Sequence, residues 1–232
     1  MIRLLSLLLA LPALPAAVAA PVRPETDGEK VSRVWGRVHA PPGPYRVKPE
    51  GNLLTLRTIG WATPFDFQTP QFRVTREVTG DFDARVKLYD LDAPARGVPY
   101  EGSGPQTAAG MYVDGGDSAV GLYRWKAIHH DKGVLQPGMQ DSPWLVRRAR
   151  NGGSGSTLGQ WEAGQSGYLR IVRKGDALTA LVSRDGKEWK QYNAARDGMS
   201  LPNAVTVGLF VGHNTSQTCS ATFSEFTIEK PQ

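Results

Sequence analysis

Between Tyr168 and Trp189 the chain alternates apolar and polar residues on both sides of a short turn, Lys174-Gly175-Asp176, and a second turn, Asp185-Gly186, follows at once. Strand side chains point alternately to opposite faces. Leu169 and Ile171 before the turn, and Leu178, Ala180 and Val182 after it, therefore each make an apolar row on one side. The pattern predicts a β-meander with one buried face. It recurs from Trp35 to the C-terminus, and strands are expected over Gly51–Ile59, Gln71–Val78, Asp81–Tyr89, Thr107–Asp114, Ser118–Trp125, Trp144–Arg150, Gly167–Lys174, Ala177–Ser183, Ala204–Gly212 and Gln217–Ile228. In Phe82-Asp83-Ala84-Arg85-Val86-Lys87-Leu88 every apolar residue falls on one face and every charge on the other, an arrangement that a helix would scatter around its circumference.

Turn formers punctuate these runs at Gly80-Asp81, Gly115-Gly116-Asp117, Gly175-Asp176 and Asp185-Gly186. No window beyond the N-terminal leader shows a helical period over three turns. Two stretches rich in Gly, Pro and Ser, Leu91–Gln106 and Asn151–Ser166, read as long loops, which in compact domains often carry function. Residues 20–33 read as a flexible leader, with order beginning near Val34, and residues 34–230 as one all-β domain, a sandwich of two packed antiparallel sheets.

The N-terminus changes the picture of where the chain works. Arg3 precedes an apolar run from Leu4 to Val18 that ends in Ala17-Val18-Ala19-Ala20, the tripartite layout of a secretory signal peptide over residues 1–19. The run is shorter than the ~20 residues that a membrane span requires, and Pro12 and Pro15 interrupt it. A secreted or periplasmic location is expected, with no membrane span. Removal of the leader leaves roughly 210 residues, enough to bury an ordinary core without covalent staples. The single cysteine, Cys219, alternates with hydroxyl residues and reads as a small buried hydrophobe, so no disulfide framework exists.

The formal charge of +5 becomes about +4 once Arg3 leaves, and it is spread along the chain. Only Arg147-Arg148-Ala149-Arg150 clusters, without the interleaved aromatic ladder that stacks bases, so nucleic acid is not an expected partner.

The order of strand and turn signals resembles a known family. Gly51-Asn52-Leu53-Leu54-Thr55-Leu56-Arg57, Thr69-Pro70-Gln71-Phe72, Thr79-Gly80-Asp81-Phe82-Asp83-Ala84 and Ala109-Gly110-Met111-Tyr112-Val113-Asp114 are similar to concanavalin A-like sandwich proteins. Relatives within that resemblance include the domain of unknown function 1349 and the C-terminal sandwich of family 43 xylosidases. Tyr168 to Asp176, Ser183 to Trp189 and Val207 to Val211 look like the later part of the same pattern, which covers most of Val34 to Glu229. The resemblance implies a jelly-roll sandwich; its motifs are specific for fold and poor guides to activity. Ser183-Arg184-Asp185-Gly186-Lys187-Glu188-Trp189 also resembles the Asp-box hairpin of sialidase-type propellers, but it occurs once and lacks one residue between aspartate and glycine. It is read as structural.

Catalytic chemistry finds little support. A retaining glucanase of this fold would carry Glu-x-Asp-x-Glu on a strand, placing two carboxylates ~5 Å apart across the scissile bond, and that motif is missing. Asp81-Phe82-Asp83 reads as a solvated face, and Asp90, Asp92 and Glu101 are unpaired. Adjacent His129 and His130 point to opposite sides of an extended segment, and His39 and His213 show no ligand spacing. Calcium is conceivable at Asp114 and Asp117, but without an EF-hand pattern no metal or other cofactor is assigned.

The aromatic residues are more suggestive. If Ala109, Met111 and Val113 face the core, Tyr112 and Asp114 face outward; across the Gly115-Gly116 turn, Val120 and Leu122 inward put Tyr123 and Trp125 outward on the same side. Aromatic faces beside polar groups hold sugar rings, and Gly110 and Gly121 would leave room for one. Trp144, flanking the Gly-rich loop, and Arg148, with its forked guanidinium, complete a ligand-binding set of Tyr112, Asp114, Tyr123, Trp125, Trp144 and Arg148; Trp161 would rim the same cleft or anchor the loop. The alternative is a hairpin buried on both faces. A slip of one residue would reverse every assignment. The expected function is a non-catalytic carbohydrate-binding or surface-recognition module. The alternatives are a glycoside hydrolase or lyase with loop-borne acids, or a structural, protein-binding domain of the cell envelope.

Overall fold

Period-two alternation becomes strand almost everywhere in the computed structural model, which describes residues 26–39, 45–59, 72–96, 104–131, 134–135, 139–149, 152–161, 166–193 and 200–231. The expected signal peptide 1–19, the start of the leader, Gln71, Glu101 and Arg150 lie outside the described residues. In chain order the elements are α1 (Asp27–Val34), β1 (Arg37–His39), β2 (Tyr45–Glu50), β3 (Leu53–Ile59), β4 (Phe72–Thr79), β5 (Phe82–Leu91), β6 (Gln106–Asp114), β7 (Ala119–Ala127), β8 (His130–Asp131), β9 (Val134–Leu135), β10 (Gln140–Ala149), β11 (Gly152–Thr157), β12 (Gly167–Lys174), β13 (Ala177–Ser183), β14 (Lys190–Asn193), β15 (Ala204–His213) and β16 (Thr218–Glu229).

The strands form two antiparallel sheets of seven, ordered β1-β4-β15-β6-β7-β10-β11 and β14-β13-β12-β5-β16-β3-β2, with β8 and β9 as a separate short pair. The inner faces make one core. Leu54, Leu56, Val86, Leu88, Leu169 and Ile171 from one sheet belong to the same cluster as Val74, Met111, Leu122, Leu145 and Leu209 from the other. Each such side chain contributes roughly 1.5–3 kcal/mol by leaving water. The meander read from sequence is present, with Lys174 pairing Ala177 across the two-residue turn and Leu169 pairing Val182. β16 lies between β5 and β3 in its sheet, and it carries irregularities in register after Thr222 and Ser224.

Three features differ from the sequence reading. First, residues 27–34 are helical, where the leader and the lack of a helical period predicted none. At eight residues the helix is too short for a period to register, and only Val31 is fully buried. Its signal was the capping box: Glu29 N donates to Thr26 Oγ1 at 3.3 Å, and Thr26 N donates to Glu29 Oε2 at 2.7 Å. Trp35 stacks on Phe226 with 6.5 Å between rings, and Arg76 Nε donates to the Trp35 carbonyl at 3.1 Å, so the helix is pinned onto the sandwich.

Second, part of the expected Asn151–Ser166 loop is strand β11, which pairs with β10 from Trp144↔Thr157 to Ala149↔Gly152. Its sequence, Gly-Gly-Ser-Gly-Ser-Thr, has little strand propensity of its own; pairing with β10 imposes the conformation. Third, β1, β2 and β14 were not expected. All three are edge or near-edge strands with little apolar alternation, and Pro49 in β2 sits where an edge strand tolerates a missing donor. Within Leu91–Gln106, residues 92–96 are irregular as expected, and residues 97–103 lie outside the described residues.

Candidate functional site

An antiparallel sheet packed on one side usually turns polar residues to the other. Strands β6 and β7 do not: β6 is buried from Gln106 to Val113 and β7 along its whole length. Their inner faces carry Ala109, Met111, Val113, Val120 and Leu122, as the alternation predicted. Their outer faces carry a second cluster of Ala108, Tyr112, Tyr123, Trp125, Ala127 and, from β15, Phe210, against which Trp144 and Val146 of β10 pack.

The rings of this layer are in mutual contact. Phe210 meets Tyr123 edge-on at 5.4 Å and Tyr112 at 6.2 Å, while Trp125 lies 5.0 Å from Trp144. Edge-to-face pairs at such distances are favoured by the ring quadrupoles. Glycines on the neighbouring strands make the bed. A Cβ on Gly208 would meet the Tyr112 ring at 2.8 Å, and one on Gly155 would meet Trp144 Nε1 at 2.7 Å. Gly110, read as room for a ligand, is filled from within: a Cβ there would sit 2.5 Å from Tyr123 Cα. Gly121 pairs directly with Tyr112.

The sequence therefore placed Tyr112, Tyr123 and Trp125 on one shared face. The structure adds that they are covered there, at 1%, 0% and 6% exposure. Burial pushes the Tyr112 hydroxyl up to about 12, with the Arg73 guanidinium, 4.9 Å from its ring centroid, pulling the other way. Burial also holds the Tyr123 hydroxyl well above its ordinary value. Both remain neutral phenols at physiological pH. The Trp125 indole donates to Gln106 Oε1 at 3.2 Å, and Gln106 N donates to Asn214 Oδ1 at 2.6 Å, so the rim of the layer is held by side-chain hydrogen bonds.

The remaining expected residues stand at the margin. Trp144 is half-buried. Arg148 donates to the Gly116 carbonyl at 2.8 Å and lies 3.5 Å from the Asp114 carboxylate, which also accepts from Gly116 N at 2.9 Å. Asp114 is thus engaged by the turn and by Arg148. Asp83 pairs with Arg170 on the far sheet, and Asp81 accepts from Gly175 N at 2.7 Å, so the two form no catalytic couple. Among the described residues no three of His, Cys, Asp and Glu come together around a possible metal position. Cys219 is buried, and that burial raises its thiol well above the usual range. The outer face can thus offer the half-buried ring of Trp144, a guanidinium and a carboxylate: recognition chemistry.

Sequence reasoning missed Phe210 and Arg73. The signal for Phe210 was present, since Thr206, Gly208 and Phe210 alternate with the core row Val205, Val207 and Leu209, but the run reads as uniformly apolar. Arg73 occupies the outer face of β4 and reaches Tyr112 only because β15 separates their strands by one position in the sheet.

The sequence matches no family model and no curated protein. Solved structures do match. A functionally unknown protein from Saccharomyces cerevisiae is 19% identical, with a TM-score of 0.59 over 84% of this chain and 95% of that one. An alginate lyase from Klebsiella pneumoniae is 11% identical, with a TM-score of 0.51 over 82% of this chain and 85% of that one. A xylan β-1,4-xylosidase from Bacillus halodurans is 12% identical, with a TM-score of 0.47 over 80% of this chain and 38% of that longer one. With two sheets of seven antiparallel strands each, and with the alginate lyase as a fold neighbour, this chain is an all-β, concanavalin A-like jelly-roll sandwich.

Proposed function

We propose that the chain is an exported, non-catalytic carbohydrate-binding module whose ligand lies across the outer face of the β6–β7–β10 sheet. Trp144, Arg148 and Asp114 make its contacts, and Tyr112, Tyr123 and Trp125 form the stiff aromatic bed beneath. The observation that carries this reading is the outer aromatic layer itself. A sheet face meant only for water would alternate to polar residues, yet β6 and β7 bear tyrosine, tryptophan and glycine there. Carbohydrate-active proteins among the structural neighbours support the ligand class, and membership in the group that includes domain of unknown function 1349 and the xylosidase sandwich is part of the same proposal.

A glycan array followed by calorimetry on the purified protein tests it. Binding to at least one polysaccharide is expected, with Trp144→Ala and Arg148→Ala each weakening it about tenfold, the loss of one stacking or charge-assisted contact of ~1.4 kcal/mol. No binding across the array, or full binding by both variants, sinks the reading. Release of new reducing ends or unsaturated products from the same panel would replace it with a hydrolase or lyase.

A further inference from the structure

Where the two sheets end in β11 and β14, the sandwich leaves an open cleft of about 510 Å³ between them. That volume lies within the ~300–1,000 Å³ range of ligand sites. Its floor is inter-sheet core, Leu158 and Val182, and its aromatic walls are Trp161, Trp189 and Tyr192. A second hollow of about 620 Å³ shares Gln160 and Trp161 with the first and extends to Ser142 and Thr157. Thr157 pairs with Trp144, so the two hollows lead from the margin of the outer aromatic face, around the edge of the sandwich, to the β13–β14 hairpin.

The walls are held before any ligand arrives. The Tyr192 hydroxyl donates to the Leu158 carbonyl at 2.9 Å, tying β14 to the opposite sheet. The Arg124 guanidinium lies 5.0 Å from the Trp161 ring and is fixed in turn by Asp141, to which its Nε donates at 2.8 Å. Trp189 meets Tyr168 edge-on at 6.3 Å with the Arg170 guanidinium 5.5 Å from its ring. Preformed walls spare the ordering cost of binding.

The polar groups of the rim, by contrast, are unspent. Among the described residues the side chains of Gln160, Arg184 and Glu188 make no hydrogen bond or ion pair. The indole N–H of Trp161, a residue only 8% exposed, has no acceptor among the described residues. A buried donor without a partner costs ~1–3 kcal/mol. Asp185 is different: its carboxylate accepts from Lys187 N at 2.8 Å and Glu188 N at 3.0 Å and shapes the hairpin. Arg184 and Lys190 balance Asp185 and Glu188 around the mouth, so the cleft has no net field to attract a polyanion.

We infer that this edge cleft is a second sugar subsite, taking an uncharged unit of an oligosaccharide whose other end lies on the outer face at Trp144. The inference rests on the carbohydrate reading above. Sugar ring faces pack on Trp189 and Trp161, and Gln160 and Glu188 bond their hydroxyls. The ligand is accordingly a chain of several units, and short sugars fill only one end of the track.

The test follows the indole N–H resonances of the six tryptophans, assigned by single substitution, while the full chain is titrated with cellohexaose, laminarihexaose, xylohexaose and the polyanion hexaguluronate. The expected result is movement of Trp144, Trp161 and Trp189 with at least one uncharged hexasaccharide. Gln160→Ala and Glu188→Ala, both at exposed positions, should each weaken that binding about fivefold while the Trp144 response persists. Movement of Trp144 while Trp161 and Trp189 stay still overturns the edge subsite and leaves the outer-face reading intact. Movement of Trp189 with hexaguluronate alone overturns the uncharged class. Silence of all three with every probe overturns both readings.

Discussion

Phe210→Ala asks whether the outer aromatic layer is packed interior or solvated surface. The Phe210 ring is fully buried and meets Tyr112 and Tyr123 edge-on, on the side of β15 away from the main core. Deleting a phenylalanine ring from a packed site costs about 3–5 kcal/mol, the sum of lost transfer energy and the cavity left behind. On a wet surface the same change stays within about 0.5 kcal/mol. Leu209 is the internal standard: it is the preceding residue, points to the inter-sheet core and is equally buried, so Leu209→Ala should cost about 2–5 kcal/mol. The assay is urea unfolding followed by fluorescence and far-ultraviolet circular dichroism. With a slope near the upper end of the ~1–3 kcal/mol per molar range, both substitutions should lower the midpoint by about 1–2 M without changing the slope. A Phe210→Ala midpoint within about 0.2 M of wild type, beside a full Leu209→Ala effect, would refute a packed outer layer. Tyr112 and Tyr123 would then themselves be accessible ligand surface.

Four further outcomes follow from the contacts described. Arg76→Ala removes the donors to the Trp35 and Val34 carbonyls and the guanidinium 5.4 Å from Phe226; a loss of about 1–3 kcal/mol is expected, seen as faster hydrogen exchange in α1 with the sheets unaffected. Arg173, only 6% exposed, donates to the carbonyls of Gly175, Pro202 and Leu201; Arg173→Lys cannot reproduce that fork and should lower the unfolding temperature nearly as far as Arg173→Met, by about 2–4 kcal/mol of stability. Backbone hydrogen bonds from Lys187 and Glu188 hold the Asp185 carboxyl below its ordinary value of 3.8. Its stabilising contribution is therefore full above that value and lost as pH falls through the lower native one, and Asp185→Ala should differ from wild type at pH 7 more than at pH 2 in urea midpoint. Cys219, buried with its thiol raised by burial, should react with a thiol reagent only at the rate of unfolding, and reaction at the rate of a free thiol in native buffer would show that β16 opens locally.

Much of this molecule is readable without coordinates, because a strand's two faces are set by neighbours in sequence. Leu169 and Ile171 against Arg170, or Ala84 and Val86 against Arg85, sort themselves at period two, and the observed strands β12 and β13 have the expected bounds. The same logic put Tyr112, Tyr123 and Trp125 together, since the Gly115-Gly116 turn sets the β6–β7 register locally, pairing Asp114 with Ala119 and Gly110 with Tyr123. Where the local signal is weak the reading fails. Helix α1 buries one residue on a short helix, and β11 has only Thr157 to favour a strand.

Alternation states that a face is apolar, but burial depends on what arrives from distant sequence. Phe210 reaches Tyr112 and Tyr123 because β15 pairs with β6, a partner about a hundred residues away, and Gly208 accepts the Tyr112 ring for the same reason. The edge cleft is likewise a meeting of Trp161 with Trp189 and Tyr192, which follow strands of two different sheets or lie in them, and the Tyr192 hydroxyl ties the two sides by donating to the Leu158 carbonyl. Side-chain direction along a strand is a property of the backbone pleat and is written in the order of residues. Strand neighbours, covered faces and the spaces between sheet edges follow from the free energy of the whole packed arrangement, in which every long-range pairing competes with the others, and no local pattern carries that sum.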